Sequence, residues 1–264
     1  MSQNSSNHTQ VESTPEKGIA KTPRRSYRWW LLIVVPVWVF VGFMTAQLLI
    51  AATFLILKTI GVSFAAINES VLSTVVAALV YVLSLLIVLG LPWLLKKRIT
   101  TPKDIGLTQL PTWADIGLAP AGFIVYVLAS GIVVYAIGQL FPGFNATQAQ
   151  DVGFSNLTEH YEYALAFITL VVIAPFAEET LFRGYLYGKL RKSIPLWLAM
   201  VVTSALFGAI HGQWNVGVDV FVLSMVACSL REVTGGIWAG VLLHMLKNGL
   251  AFYILFINPS FLIQ

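Results

Sequence analysis

The chain has 264 residues, 57% of them hydrophobic and only 11% charged, and its mean hydropathy is +0.79. A soluble domain carries about 25% charged residues, so soluble, disordered and collagen-like readings are excluded, and the single cysteine, Cys228, excludes an internal disulfide framework. The net charge of +4 does not point to nucleic acid, because the basic residues stand in short clusters between long apolar runs.

Residues 1–26 are polar, lack apolar periodicity and read as a disordered tail. The apolar run from Trp29 to Leu57 is longer than the roughly 7–15 residues of a signal-peptide core and long enough for a membrane helix, which needs about 20. Further spans are predicted at 71–95, 115–140, 161–188, 195–211, 216–231 and 235–257. The sixth is short, and whether it fully crosses is left open. Ile99–Pro111, with two prolines and Asp104, reads as an interfacial connector. The expectation is an all-α polytopic membrane protein of about seven transmembrane helices. Its divisions are a tail (1–26), N-terminal helices and connector (27–159), a functional core from the last four helices (160–257) and a short tail (258–264). No internal repeat is visible.

Loop charge orients the chain. Lys17, Lys21, Arg24, Arg25 and Arg28 precede the first span. Lys96, Lys97, Arg98 and Lys103 follow the second, Lys189, Arg191 and Lys192 the fourth, and Arg231 the sixth, so thirteen of the sixteen basic residues share one side. The opposite loops hold Lys58 and acids such as Glu69, Asp151, Glu159 and Glu162. This predicts a cytoplasmic N-terminus in the plasma membrane.

Ionisable groups inside a membrane cost roughly 2.5–3.5 kcal/mol each on insertion scales and need a reason. Three stretches carry them: Glu178-Glu179-Thr180-Leu181-Phe182-Arg183, Phe207-Gly208-Ala209-Ile210-His211 and His244-Met245-Leu246-Lys247-Asn248. Residues four apart are neighbours on a helix, so Glu179 pairs with Arg183 and leaves Glu178 without an intrahelical cation. His244 and Asn248 share a face, and Phe207 lies one turn from His211, where it would wall the same cavity. At 1.5 Å per residue, Glu178 lies about 16 Å in from the basic side, His211 about 24 Å, His244 about 14 Å and Asn248 about 20 Å; one layer can hold all four.

A carboxylate, two imidazoles and an amide in a wet cavity within lipid suit hydrolysis. Glu178 can act as general base on a water, His211 can hold that water, and His244 with Asn248 can donate to the oxyanion of a tetrahedral intermediate. Arg183 would keep Glu179 ionised as a supporting pair. Bland readings stand beside these: a buried ion pair can simply lock two helices, and Asn commonly hydrogen-bonds across membrane helices. Cys228 reads as a small core residue, His8 and His160 as solvated, and Lys247 has no assigned role. Trp214 and Asn215 are placed at the cavity edge.

EExxxR, FxxxH and HxxxN in this order on successive helices resemble the CAAX prenyl endopeptidase and bacteriocin-processing (Abi, CPBP) intramembrane protease family, and Arg231 to His244 is similar to that family's approach to its third motif. The resemblance covers roughly residues 160–255. It implies a glutamate-activated water held by Glu178 and His211, an oxyanion site from His244 and Asn248, and supporting positions at Glu179 and Arg183. It also implies a protein or peptide substrate, prenylated at its C-terminus in some members. Zn²⁺ is not required by this chemistry; its ligands would be Glu178, His211 and His244. No H-E-x-x-H helix or G-x-S-x-G elbow is present. The rival readings are a transporter or proton relay, disfavoured by the lack of inverted repeats, and a non-catalytic immunity or scaffold protein.

Overall fold

A computed structural model describes residues 27–97, 99–148, 152–154 and 157–259. The tail expected to be disordered, Arg98, Asp151 and most of the 258–264 segment fall outside these. Among the described residues all regular structure is helical. The long helices are α1 (Leu31–Thr59), α2 (Glu69–Lys96), α4 (Trp113–Leu140), α5 (His160–Arg191), α6 (Leu196–Ala209), α7 (Trp214–Thr234) and α8 (Trp238–Ile257). A single turn, α3 (Pro102–Ile105), lies in the connector.

Seven helices thus occupy the seven predicted positions, but only five, α1, α2, α4, α5 and α8, are long and apolar enough to cross a membrane. Among the described residues there are thus five candidate crossings by length and composition, and the expected count of about seven is not confirmed. With 14 residues, α6 reaches only about 21 Å against roughly 30 Å of hydrocarbon. α7 has 21 residues but carries Asp219, Arg231 and Glu232.

Burial ranks the helices. In its most apolar stretch α5 is 61% buried, against 22% for α1, 11% for α2, 17% for α4 and 28% for α8. α5 is therefore the central element, and the others present apolar side chains outward, as Ile124, Leu128, Ile132 and Tyr135 do on α4. α7 packs on α6, α4 and α8, while α2 packs on α1 and α5. Where α6 crosses α7, a Cβ on Gly208 would lie 2.6 Å from the Gly217 carbonyl oxygen, and one on Gly217 would lie 3.0 Å from the Gly208 carbonyl oxygen. The two backbones meet because neither position has a side chain, and the crossing sits three residues before His211.

The connector is more than interfacial. Arg231, counted above as a loop charge, lies in the last turn of α7, and its guanidinium donates to the Ile105 and Asp104 carbonyls at 3.0 and 3.3 Å. Gly106 accepts from the Ile237 amide at 3.2 Å, and Trp238 Nε1 donates to the Gln109 carbonyl at 2.6 Å. Lys192 pairs with Asp104 at 3.1 Å. The Thr101 backbone N–H and hydroxyl, then Lys192, hold the Asp104 carboxyl well below the usual carboxylate range. At the same end, the Arg28 amide donates to the Ser193 carbonyl at 2.9 Å. The predicted basic clusters before α1, after α2 and after α5 are thus spatial neighbours.

Candidate active site

The site is built on α5, and its local geometry follows from Pro175. A proline lacks an N–H and clashes with the preceding turn, and the helix answers by widening to π-type turns over Ile168–Ile173. In that register the Ala174 amide bonds to the Thr169 carbonyl. The next donor in line, for the Leu170 carbonyl, would be the nitrogen of Pro175. Asn248 of α8 supplies it instead, with Nδ2 donating to the Leu170 oxygen at 2.8 Å. A second π-type segment, Thr180–Tyr187, follows the two glutamates. Such widenings turn successive side chains off the regular helical stripe and are frequent at functional sites.

Glu178 and Glu179 then face different surroundings. Glu179 is fully buried, with Arg183 Nη1 at 3.0 Å and His244 Nδ1 at 3.1 Å from the same oxygen, Oε1. The Arg183 guanidinium, also fully buried, stacks 4.3 Å from the centre of the Phe207 ring. Gly240, one turn before His244, makes room: a Cβ there would stand 3.1 Å from Glu179 Oε2. Glu178 keeps a 13% exposed side chain on a cavity of about 360 Å³. The Tyr81 hydroxyl donates to its Oε1 at 2.6 Å, and His244 Nε2 stands 3.8 Å from its Oε2. His244 is therefore suspended between the two carboxylates, one imidazole nitrogen towards each.

His211 lies in the turn after α6. Its Nδ1 is 2.7 Å from the Phe207 carbonyl, which can only accept; Nδ1 thus carries the proton and Nε2 keeps a lone pair.

Glu178, His211, His244 and Asn248, expected to share a pocket, all line this cavity together with Tyr81 and Lys247. Phe207 does not line it. It is fully buried behind the imidazoles, its ring meeting those of His211 and His244 edge-on at 5.0 and 5.9 Å. Trp214 borders a different, apolar cavity against α4, and Asn215 donates to the Gln148 carbonyl at 2.9 Å. Cys228 is core. As for Zn²⁺, no group of three His, Cys, Asp or Glu side chains among the described residues is placed to hold a metal ion.

Two further polar groups were not anticipated. Tyr81 lies 97 positions from Glu178 in an apolar run where a tyrosine reads as packing. Asp219 offered a signal, an acid within an apolar stretch. Its Oδ1 accepts from Tyr126 and Ser130 of α4 at 2.6 and 2.7 Å, and Lys247 stands 3.6 Å from its Oδ2.

The family model described as Type II CAAX prenyl endopeptidase Rce1-like matches residues 160–250, which run from the start of α5 through most of α8 and include every residue of the three polar interruptions. That segment is similar to the Rce1-like type II CAAX prenyl endopeptidases, and the match supports a protease role. An uncharacterized 24.3 kDa protein of Escherichia coli is 35% identical over 86 residues, 31% of this chain and 40% of that protein. The chain thus spans less than half the length of the curated relative it matches. No solved structure matches the chain.

Proposed function

We propose that the cavity is the centre of an intramembrane endopeptidase of the CAAX type, which hydrolyses a peptide bond near the C-terminus of a lipidated or membrane-associated protein or peptide. The observation that carries this reading is the division of labour between neighbouring carboxylates: Glu179 is sealed with Arg183, whereas Glu178 faces the cavity with Oε2 free of a direct hydrogen bond.

The proposed mechanism uses each group for what its partners leave available. Glu178 Oε2 accepts a proton from a water as that water attacks the substrate carbonyl. His211, its Nδ1–H fixed on the Phe207 carbonyl, accepts a hydrogen bond from the same water at Nε2 and orients its lone pair. As negative charge grows on the carbonyl oxygen, the second amide hydrogen of Asn248 donates to it, and His244, whose Nδ1 proton is held by Glu179, donates from Nε2 as the imidazolium. One donor of this kind is typically worth about 10²–10³ in rate. Glu178 then returns its proton to the leaving amine, so the net reaction adds water across one C–N bond. Tyr81 positions Glu178, Arg183 and Glu179 position His244, and the basic end of the bundle faces the cytoplasm.

The test is cleavage of a C-terminally lipidated peptide by purified protein in bilayer mimetics. Glu178→Gln keeps the shape but removes the base and should lower turnover at least about 10²-fold, with its melting temperature near that of the wild type. Tyr81→Phe, which loses one hydrogen bond to a charged acceptor, should lower kcat roughly tenfold with little change in KM. Wild-type rates in purified Glu178→Gln would end the assignment. Glu178-dependent proton or solute flux in liposomes without cleavage would replace it with a transporter.

A further inference from the structure

Lys247 lines the cavity beside Glu178, His211, His244 and Asn248. Its ion-pair partner is Asp219, whose other oxygen is already engaged. Asp219 Oδ1 already accepts two hydroxyl hydrogen bonds, from Tyr126 and Ser130 at 2.6 and 2.7 Å, which fix the carboxylate between α4 and α7. The Lys247 ammonium stands 3.6 Å from the other oxygen, outside hydrogen-bonding distance for N–H to O. Among the described residues it donates no hydrogen bond, and its side chain is 20% exposed. Asp219 therefore acts as a tether that holds the charge at the cavity wall while leaving its three N–H groups to a ligand.

Lys247 follows His244 by three positions on α8, so the two are surface neighbours on one helix face. An anion bound at the ammonium would lie within about one helical turn of the imidazole that stands 3.8 Å from Glu178. A turn is about 5.4 Å, so one or two extended residues, at about 3.3–3.6 Å each, bridge that separation along the wall of the cavity of about 360 Å³.

We infer that Lys247, held by the Asp219–Tyr126–Ser130 cluster, is a receptor for the free α-carboxylate of a peptide substrate, and that it makes the cavity select a C-terminal end. This rests on the peptidase reading for the identity of the ligand. Lys247 is here a specificity residue, and it takes no part in the bond-breaking step.

The experiment compares short peptides identical except for a C-terminal carboxylate or carboxamide. Binding is measured to full-length Glu178→Gln protein, so that nothing is consumed, and cleavage is measured with the wild type. Charge-assisted hydrogen bonds predict that the carboxylate peptide binds roughly tenfold to a hundredfold more tightly than the amide. Adding Lys247→Met should erase that preference while leaving amide binding unchanged. In cleavage the same substitution should raise KM for the carboxylate peptide with kcat nearly kept. Asp219→Asn, which keeps the hydroxyl partners but removes the tether's charge, should reduce the preference part-way. Equal binding of the two peptides to the Lys247-containing protein overturns the inference, as does a preference that survives Lys247→Met in folded protein. If the Glu178→Gln protein binds with the preference but the wild type cleaves neither peptide, the peptidase reading fails and the carboxylate site stands.

Discussion

Glu178 and Glu179 are consecutive in the chain, chemically identical, and sit on the two faces of one helix that the structure treats in opposite ways. On the sealed face, Glu179, Arg183 and His244 Nδ1 form a dry cluster roofed by Phe207. On the open face, Glu178 meets Tyr81, the other nitrogen of His244 and the cavity shared with His211, Asn248 and Lys247. Two charges brought together out of water gain little net stability, yet removing one leaves the other unpaired at a cost of several kcal/mol. The sealed face therefore resists change for structural reasons, whereas the open face can lose its carboxylate charge with the fold intact. His244 joins the two, so rigidity on one side fixes an atom on the other.

The sharpest way to break this comparison is to exchange the outcomes. Arg183→Leu strands Glu179 in the core and should destabilise the protein by about 3–5 kcal/mol, read as a large fall in melting temperature, whereas Glu178→Gln should abolish turnover and leave the melting temperature nearly unchanged. Equal thermal losses in the two variants would dissolve the distinction between the faces.

A smaller effect is expected at the α6–α7 crossing. Gly208→Ala places a methyl 2.6 Å from the Gly217 carbonyl oxygen, so the backbones must part. Overpacking of this kind costs about 1–3 kcal/mol and should shift His211. Turnover should fall further than stability alone explains, and it should not recover at temperatures where the variant is fully folded.

An effect of similar size sharpens the role of Asn248. Asn248→Ala should cost about 1–3 kcal/mol by leaving the Leu170 carbonyl unsatisfied, together with any loss of turnover. Pro175→Ala restores a backbone N–H in line with that carbonyl, so the double variant should recover stability lost in the single one. Recovery of stability without recovery of turnover separates the structural hydrogen bond from oxyanion donation. Additive losses would mean that Pro175 and Asn248 are not coupled.

Much of this was legible in the sequence for a physical reason. A helix surrounded by lipid must be apolar over its length, so the seven helical positions stand out, and an ionisable group within them stands out equally. The Glu179–Arg183 pair is readable because residues four apart meet on any helix. The number of membrane-length helices was less readable, since α6 and the α7 segment lie in runs whose apolar character comes partly from core packing. Phe207 was placed on the right helix face but at the wrong depth, because spacing gives direction and not what lies in front.

What the sequence determined alone is therefore whatever repeats with helical geometry: the helices, the polar interruptions, the ion pair four residues apart and the match over 160–250. What only the tertiary structure decided is every meeting between helices. It set Tyr81 on Glu178 and His244 between both glutamates, gave Asn248 the carbonyl that Pro175 leaves without a donor, and placed Lys247 on the cavity wall beside Asp219. A contact within a helix follows from a fixed rise and turn, whereas a contact between helices depends on where glycines let backbones approach, as at Gly208 and Gly217, and on how π-type turns rotate the side chains beyond them.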